Sequence, residues 1–274
     1  MASLQNQHPH AELIATLDEF YTLLVTTGAF DSSDIFRPDP ATGKHKDGTI
    51  QTQAALAAGY DPETVDLMCY IPYATDSRHE SFNELLPNTY PVTYRGADLD
   101  QGYYESLREM LNDEAIMPPT ALRLSWNEIC GFVFIYDSAT KLMVAWEPAA
   151  NPVDVDDYFH VAAASPREVL GPIIKDYRSL KYLAAPDRTN FQQEGYGDSG
   201  GVPPKDWPAR DQKNWLKQYR IWNASQKLRE LMVECGWNTE SITQDAFRRE
   251  EYMQKRDRYW AEVVQPLIDA EESD

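Results

Sequence analysis

Side chains that could do chemistry are densest just past the middle of the chain, at Asp154, Asp156, Asp157, Tyr158 and His160. Hard carboxylate oxygens at this spacing could hold Mg²⁺ or Ca²⁺. The spacing does not match an EF-hand loop, which has glycine at its sixth position and glutamate at its twelfth. A solvated acidic loop and a protein-binding edge are the two other interpretations. We predict no metal site and no cofactor here, and keep the acidic loop as a candidate contact surface.

Glu147 and His160 are the candidate acid–base pair. Glu147 follows Trp146 at the end of a predicted strand. An apolar ring beside a carboxyl group can raise its pKa, which suits the group to acid–base catalysis. A strand-end carboxylate that faces water and a histidine at the rim of a core are the structural alternatives. The sequence contains neither a GxxxxGK[ST] loop nor an HExxH motif. His8 and His10 are expected in a mobile N-terminal start.

The charge of the chain is strongly acidic and unevenly distributed. Lys and Arg total 25 against 44 Asp and Glu, a formal net charge of −19. Residues 1–150 hold 22 acidic and 8 basic residues, whereas residues 151–274 hold 22 and 17. A negative field repels phosphate backbones and anionic membrane surfaces, and attracts basic partners. The composition therefore predicts a basic protein partner, no nucleic acid and no membrane.

The spacing of the cysteines and the hydropathy of the chain indicate its cellular compartment. Cys69, Cys130 and Cys235 are far apart and include no CxxC pair, which is typical of reduced thiols in a core. The first residues lack the cationic start and apolar run of a secretory signal. No window approaches the roughly 18 apolar residues of a membrane-spanning helix. These observations predict a cytoplasmic protein.

The N-terminal half mixes predicted helices and strands. Apolar spacing predicts helices over 11–26 and 103–111, and an Asp61–Pro62 pair marks the start of another. Alternating apolar residues over 122–126 predict a half-buried strand. Two β-rich runs around a polar turn in 131–148 predict a hairpin.

Further along the chain, 158–161 is predicted as a short strand, and Ser165 with Glu168 forms a capping box. Pro172 is expected to interrupt the helix that follows. The glycine- and proline-rich stretch 186–208 is predicted as a linker.

The predicted fold class is α+β, with a central, mostly antiparallel sheet flanked by helices and a C-terminal helical extension. Residues 1–185 form the expected core with an N-terminal helical extension, and residues 209–274 the expected helical lobe packed on it. Within this lobe, helices are expected over about 215–236 and 244–268, separated by Gly236–Trp237.

Several short motifs resemble the SUKH superfamily, which includes bacterial toxin-immunity proteins and a fungal cell-wall-synthesis regulator. They are the Leu-Leu-Pro run at 85–87, the hairpin with Gly131, Trp146 and Glu147, and the Ser165-capped helix. The layout with Gly236–Trp237 resembles a fungal subset of these proteins. The resemblance implies an α+β domain that binds other proteins without catalysis.

The two functional hypotheses differ in class. The first is a non-enzymatic, intracellular protein-binding module, regulatory or immunity-like, whose contact face is formed by Trp146, Glu147, Asp154, Asp156, Asp157 and Tyr158. The alternative is a cofactor-independent fungal biosynthetic enzyme, a cyclase or isomerase, with an aromatic pocket and Glu147 and His160 as its acid–base residues.

Overall fold

The computed structural model of the chain describes residues 8–75, 84–109, 116–127, 131–148, 160–186, 190–192, 203 and 205–272. The chain is a mixed α+β protein with small antiparallel sheets, flanking helices and a helical C-terminal part, so the predicted fold class is confirmed. The helices are α1 Ala11–Thr27, α2 Thr52–Ala57, α3 Pro62–Met68, α4 Gln101–Ser106, α5 Pro166–Arg178, α6 Ala209–Glu234, α7 Arg249–Tyr259 and α8 Gln265–Glu272.

The strands pair antiparallel throughout the described residues. They are β1 Ile35–Phe36, β2 Tyr73–Ala74, β3 Thr89–Pro91, β4 Ala121–Arg123, β5 Ser125–Asn127, β6 Val133–Asp137, β7 Leu142–Trp146, β8 Tyr182–Ala184 and β9 Asn190–Gln192. Strands β4, β6 and β7 form a three-stranded sheet, and β3 pairs with β5. Leu124 joins these two sheets, because its N–H donates to the Phe134 carbonyl and its own carbonyl accepts from Val92 N–H.

Local signals in the sequence account for several element boundaries. The Asp61 side chain caps α3 by accepting from Thr64 N–H at 2.8 Å, directly before Pro62. The capping box of α5 is also present. Ser165 N–H donates to the Glu168 carboxylate at 2.9 Å, and Glu168 N–H donates to the Ser165 hydroxyl at 3.3 Å.

The β6–β7 hairpin forms as predicted. Its turn is closed by the Asp137 carboxylate, which accepts from the N–H groups of Ala139 at 2.8 Å and Thr140 at 3.1 Å. Lys141 completes the turn at a φ of 61°. The register pairs Val133 with Trp146 across the two strands.

Three local expectations were wrong. His160 and Val161 lie outside any strand, so no strand extends over the described part of 158–161. Helix α4 ends at Ser106, earlier than predicted, because Arg108 leaves the helical path to donate to two distant carbonyl groups. Helix α5 continues through Pro172, since proline removes only one main-chain bond and the buried side chains of Leu170 and Ile174 hold the turns on either side.

The chain divides into two compact units. Unit 1 comprises residues 1–24 and 30–174, and unit 2 comprises residues 25–29 and 175–274. Unit 1 contains the sheets formed by β1–β7 and helices α2–α4, whereas unit 2 contains β8, β9 and helices α6–α8. In the described part of the chain, no helix has the length and apolar character needed to cross a membrane.

Candidate functional site

A cleft opens in unit 1 where the end of α4 meets strands β4 to β7. Its volume is about 280 Å³, and it is lined by Ser106, Glu109, Arg123, Trp126, Asn127, Val133 and Trp146. We call these residues the cleft. Two aromatic rings, one cation and one carboxylate therefore share a single concave surface, a combination typical of binding sites.

Trp146 forms the inner wall of the cleft. Its side chain is 1% exposed and belongs to a hydrophobic cluster with Met117, Ala121, Val133, Ile135 and Val144. A ring that is buried to this degree has almost no surface to offer as an exposed anchor, because β7 turns alternate side chains inward and Trp146 lies on the inner face. Trp146 therefore supports the inner wall of the cleft and does not offer the exposed contact surface that was predicted.

Trp126 is the most distinctive residue of the cleft. Its ring stacks on Tyr90 with centroids 4.5 Å apart and an angle of 22° between the planes. The indole N–H is buried and has no hydrogen-bond acceptor among the residues that the structure describes. An unsatisfied buried donor costs about 1–3 kcal/mol.

Arg123 and Glu109 place opposite charges in the cleft. The Arg123 guanidinium donates through Nη2 to the main-chain carbonyl of Glu109, which ties the end of β4 to the chain after α4. The Glu109 side chain is exposed. The cleft therefore offers an anchored cation on one side and a solvent-facing carboxylate on the other.

The other residues selected from the sequence are placed as follows. Glu147 is half-buried directly after β7, and His160 is exposed. Asp154, Asp156, Asp157 and Tyr158 lie outside the described residues. Among the residues that the structure does describe, no group of three His, Cys, Asp or Glu side chains is arranged to hold a metal ion.

A glycine-rich run at 195–201 has the spacing of both GxGxxG and GxSxG. It lies outside the described residues, but its neighbours are placed. Strand β9 before it pairs antiparallel with β8, and α6 begins only at Ala209. A dinucleotide-binding fingerprint requires a parallel strand and a helix that starts at its last glycine. These flanking elements do not fit that arrangement.

The expectation of a mobile start at His10 was wrong. The His10 side chain is 2% exposed, and its Nδ1 shares a hydrogen bond of 2.8 Å with the Tyr136 hydroxyl. Its Nε2 lies 3.3 Å from a Glu63 carboxylate oxygen, close enough for an ion pair but without hydrogen-bond geometry. His8 packs on Tyr70, with ring centroids 4.0 Å apart. The signal that was missed is the position of His10 one residue before an amphipathic helix.

This buried histidine makes stability depend on pH. Burial lowers the pKa of His10, and the Glu63 carboxylate opposes this shift only in part. Below the usual histidine pKa of about 6.5, the unfolded chain binds more protons than the folded chain. The stability that depends on neutral His10 is therefore fully present above about pH 6.5. It is lost as the pH decreases toward the lowered pKa of His10 in the folded state. The groups that act on His10 are Tyr136, Glu63, Asp61, Lys141 and His8.

We expect His10→Gln to reduce this loss of stability between pH 6.5 and pH 5, measured by urea denaturation at each pH. His8 and His45 also have pKa values lowered by burial, so a residual slope of the same sign is expected. His160→Gln, at an exposed position, is the matched control for loss of one histidine. An unchanged pH slope in His10→Gln would contradict this assignment.

Comparison of the chain with models of protein families, with curated proteins and with solved structures found no match. The resemblance to the SUKH superfamily therefore stays a prediction made from the sequence.

Proposed function

We propose that this chain is a non-enzymatic protein-binding module whose acidic surface in unit 1 takes a basic segment of a partner protein, with the cleft as the contact site. The observation that carries the proposal is the distribution of charge in unit 1. Among its described residues, the exposed acidic side chains are Glu12, Asp31, Asp39, Asp47, Glu63, Asp66, Asp98, Asp100, Glu105, Glu109 and Glu168. The exposed basic side chains are Arg37, Lys46, Lys141 and Arg167.

Two of those four basic side chains are already neutralised. Arg37 pairs with Asp18 at 2.6 Å, and Arg167 pairs with Glu19. A surface with this balance attracts cations and accelerates encounters with basic partners.

Internal contacts of three other arginines increase this imbalance. Arg108 is buried and donates to the carbonyls of Ala58 at 2.6 Å and Met117 at 2.7 Å. The Arg95 guanidinium lies 3.6 Å above the Phe36 ring. Arg123 is tied to a main-chain carbonyl in the cleft. Because Arg108 is buried and Arg95 lies over an aromatic ring, these two cations contribute less to the exposed charge of unit 1 than a solvent-facing arginine would.

The cleft suits a peptide segment with a basic side chain. The exposed Glu109 carboxylate would pair with the cation of that side chain. The predicted contact residues Glu147, Asp154, Asp156, Asp157 and Tyr158 remain part of this proposal as further contacts for the basic partner.

A cytoplasmic location remains part of this proposal. Cys69 and Cys235 are free thiols, and burial raises the pKa of each of them. A raised thiol pKa lowers the fraction of reactive thiolate, which suits structural cysteines in a reducing compartment.

Reversal of one charge at the cleft tests the proposal. We expect Glu109→Lys to weaken binding to the partner captured from a lysate by about tenfold or more, because a cation replaces the carboxylate at the contact. Asp47→Lys makes the same change of net charge at another exposed position of unit 1 and is the matched control. The measurement is quantitative pull-down followed by titration of the purified partner.

Equal weakening by Glu109→Lys and Asp47→Lys would show that only net charge matters and would contradict a role for the cleft. A second variant, Asp156→Lys with Asp157→Lys, tests the acidic loop. Capture of no partner, or of one that none of these variants affects, would overturn the proposed function.

A further inference from the structure

Unit 2 contains a surface of the opposite charge, on the first half of α6. Of the seven charged residues between 205 and 220, five are basic, in a chain whose net charge is −19. The described side chains of Lys205, Arg210, Lys213 and Arg220 are all exposed. Within the described part of the chain none of these four makes an ion pair, whereas Lys227 further along the same helix pairs with both Glu230 and Glu234.

Three of these residues share one side of the helix with an apolar residue. Positions three, four and seven apart lie on the same face of an α-helix, which places Lys213, Leu216 and Arg220 in one row. Arg210 precedes Lys213 by three positions and extends the row. Leu216 is 39% exposed, which is unusual for a leucine in the middle of a helix. We call Arg210, Lys213, Leu216 and Arg220 the basic face.

The first half of α6, from Ala209 to Arg220, has no buried side chain among those that the structure describes. Burial begins at Ile221 and continues through Leu228 and Met232. Most of the stability of helices in proteins comes from packing of one face, so a face without it is available to a partner. Trp207, just before the helix, is 43% exposed and adds apolar surface at the same end.

We propose that the basic face binds a short acidic segment of a second protein, in which carboxylates flank an apolar residue. The carboxylates would pair with Lys213 and Arg220, and the apolar residue would cover Leu216, an arrangement of apolar centre and charged rim typical of interfaces. Residues 209–220 span about 18 Å, the length of a short peptide. A longer polyanion or an anionic membrane would extend over the negative charges of the same chain and be repelled.

The test is a titration of the full chain with a fluorescent 12-residue helical peptide that presents Glu, Leu and Glu on one face. The same peptide with Gln in place of Glu is the neutral control. We expect the Glu peptide to bind, with anisotropy rising on titration, and Lys213→Glu with Arg220→Glu to weaken its binding by at least about tenfold. Arg229→Glu with Arg258→Glu makes the same charge change at two other exposed positions of unit 2 and should leave most of the affinity.

A third variant separates packing from charge. Leu216→Gln is expected to weaken binding of the Glu peptide without changing its dependence on salt, whereas the double charge reversal should reduce both. Circular dichroism of every variant checks that α6 is still formed. Failure of the Glu peptide to bind, or equal binding of the Gln peptide, would overturn the proposal.

Binding of other ligands to the basic face would contradict the proposal. Tighter binding of a single-stranded oligonucleotide or of phosphatidylserine vesicles would overturn the assignment to an acidic protein segment. A dimer in analytical ultracentrifugation that Lys213→Glu with Arg220→Glu dissociates would likewise overturn it in favour of a second copy of the chain. None of these results depends on the partner proposed for unit 1.

Discussion

Trp146→Ala is expected to lower the free energy of unfolding by about 3–5 kcal/mol. Trp146 is 1% exposed, and its removal would leave a large cavity between β7 and the cluster that contains Met117, Val133 and Val144. Trp146 pairs directly across the hairpin with Val133, so β6 and β7 also lose one cross-strand pair of side chains. Urea denaturation, followed by circular dichroism, measures the change.

Leu142→Ala is the matched control for this prediction, because Leu142 lies at the other end of β7 and is 38% exposed. Its replacement should cost less than about 1 kcal/mol. Trp146→Ala should also change the cleft, because its inner wall is lost, and so abolish binding of the partner proposed for unit 1. Equal stability losses in the two variants would show that Trp146 is not the core of the hairpin.

Gly131→Ala is expected to destabilise the protein by about 2–4 kcal/mol. Gly131 has a φ of +146°, which is unfavourable for any residue with a Cβ atom. A Cβ atom at this position would also collide with the main-chain carbonyl of Asn88, lying 2.8 Å from its carbon atom and nearer still to its oxygen. Neither backbone segment can move easily, since Phe132 N–H is held by the Thr89 hydroxyl at 2.9 Å.

Gly102→Ala provides the control of opposite sign. Gly102 lies inside α4, where the nearest atom to an added Cβ is an Asp100 carboxylate oxygen at an ordinary 3.5 Å. Alanine in a helix is favoured over glycine by about 1 kcal/mol, so this variant should be slightly more stable than the parent chain. A thermal melt of both variants separates the two effects. A Gly131→Ala protein as stable as the parent would contradict the close approach of the two segments.

Local signals accounted for the elements whose cause is local. The α5 capping box, the Asp61 cap and the hairpin turn all depend on residues within four positions of each other, and the structure contains each of them. The boundary of α4 was missed because its end depends on distant contacts. Arg108 is drawn to Ala58, which lies 50 positions earlier in the chain, and no local pattern carries that information.

The candidate site, too, was predicted only where its features depend on neighbouring residues. The sequence predicts Trp146 and Glu147 as parts of a contact face, since an aromatic residue beside a carboxylate is typical of interfaces. The structure buries Trp146, because side-chain direction depends on which face of β7 meets the core, and it places the exposed Glu109 in the cleft instead. The stacking of Trp126 on Tyr90 could not be predicted from local sequence, since the two residues are 36 positions apart.

The sequence by itself determined the acidic character of the chain, the α+β class and the position of the hairpin, because each follows from residue types or from short-range periodicity. Only the tertiary structure decided where the charges act. It buried Arg108, placed Arg95 over the Phe36 ring and left Arg210, Lys213 and Arg220 exposed on the first half of α6. The physical reason is that a side chain's electrostatic effect depends on what surrounds it, and folding brings those surroundings from remote parts of the chain.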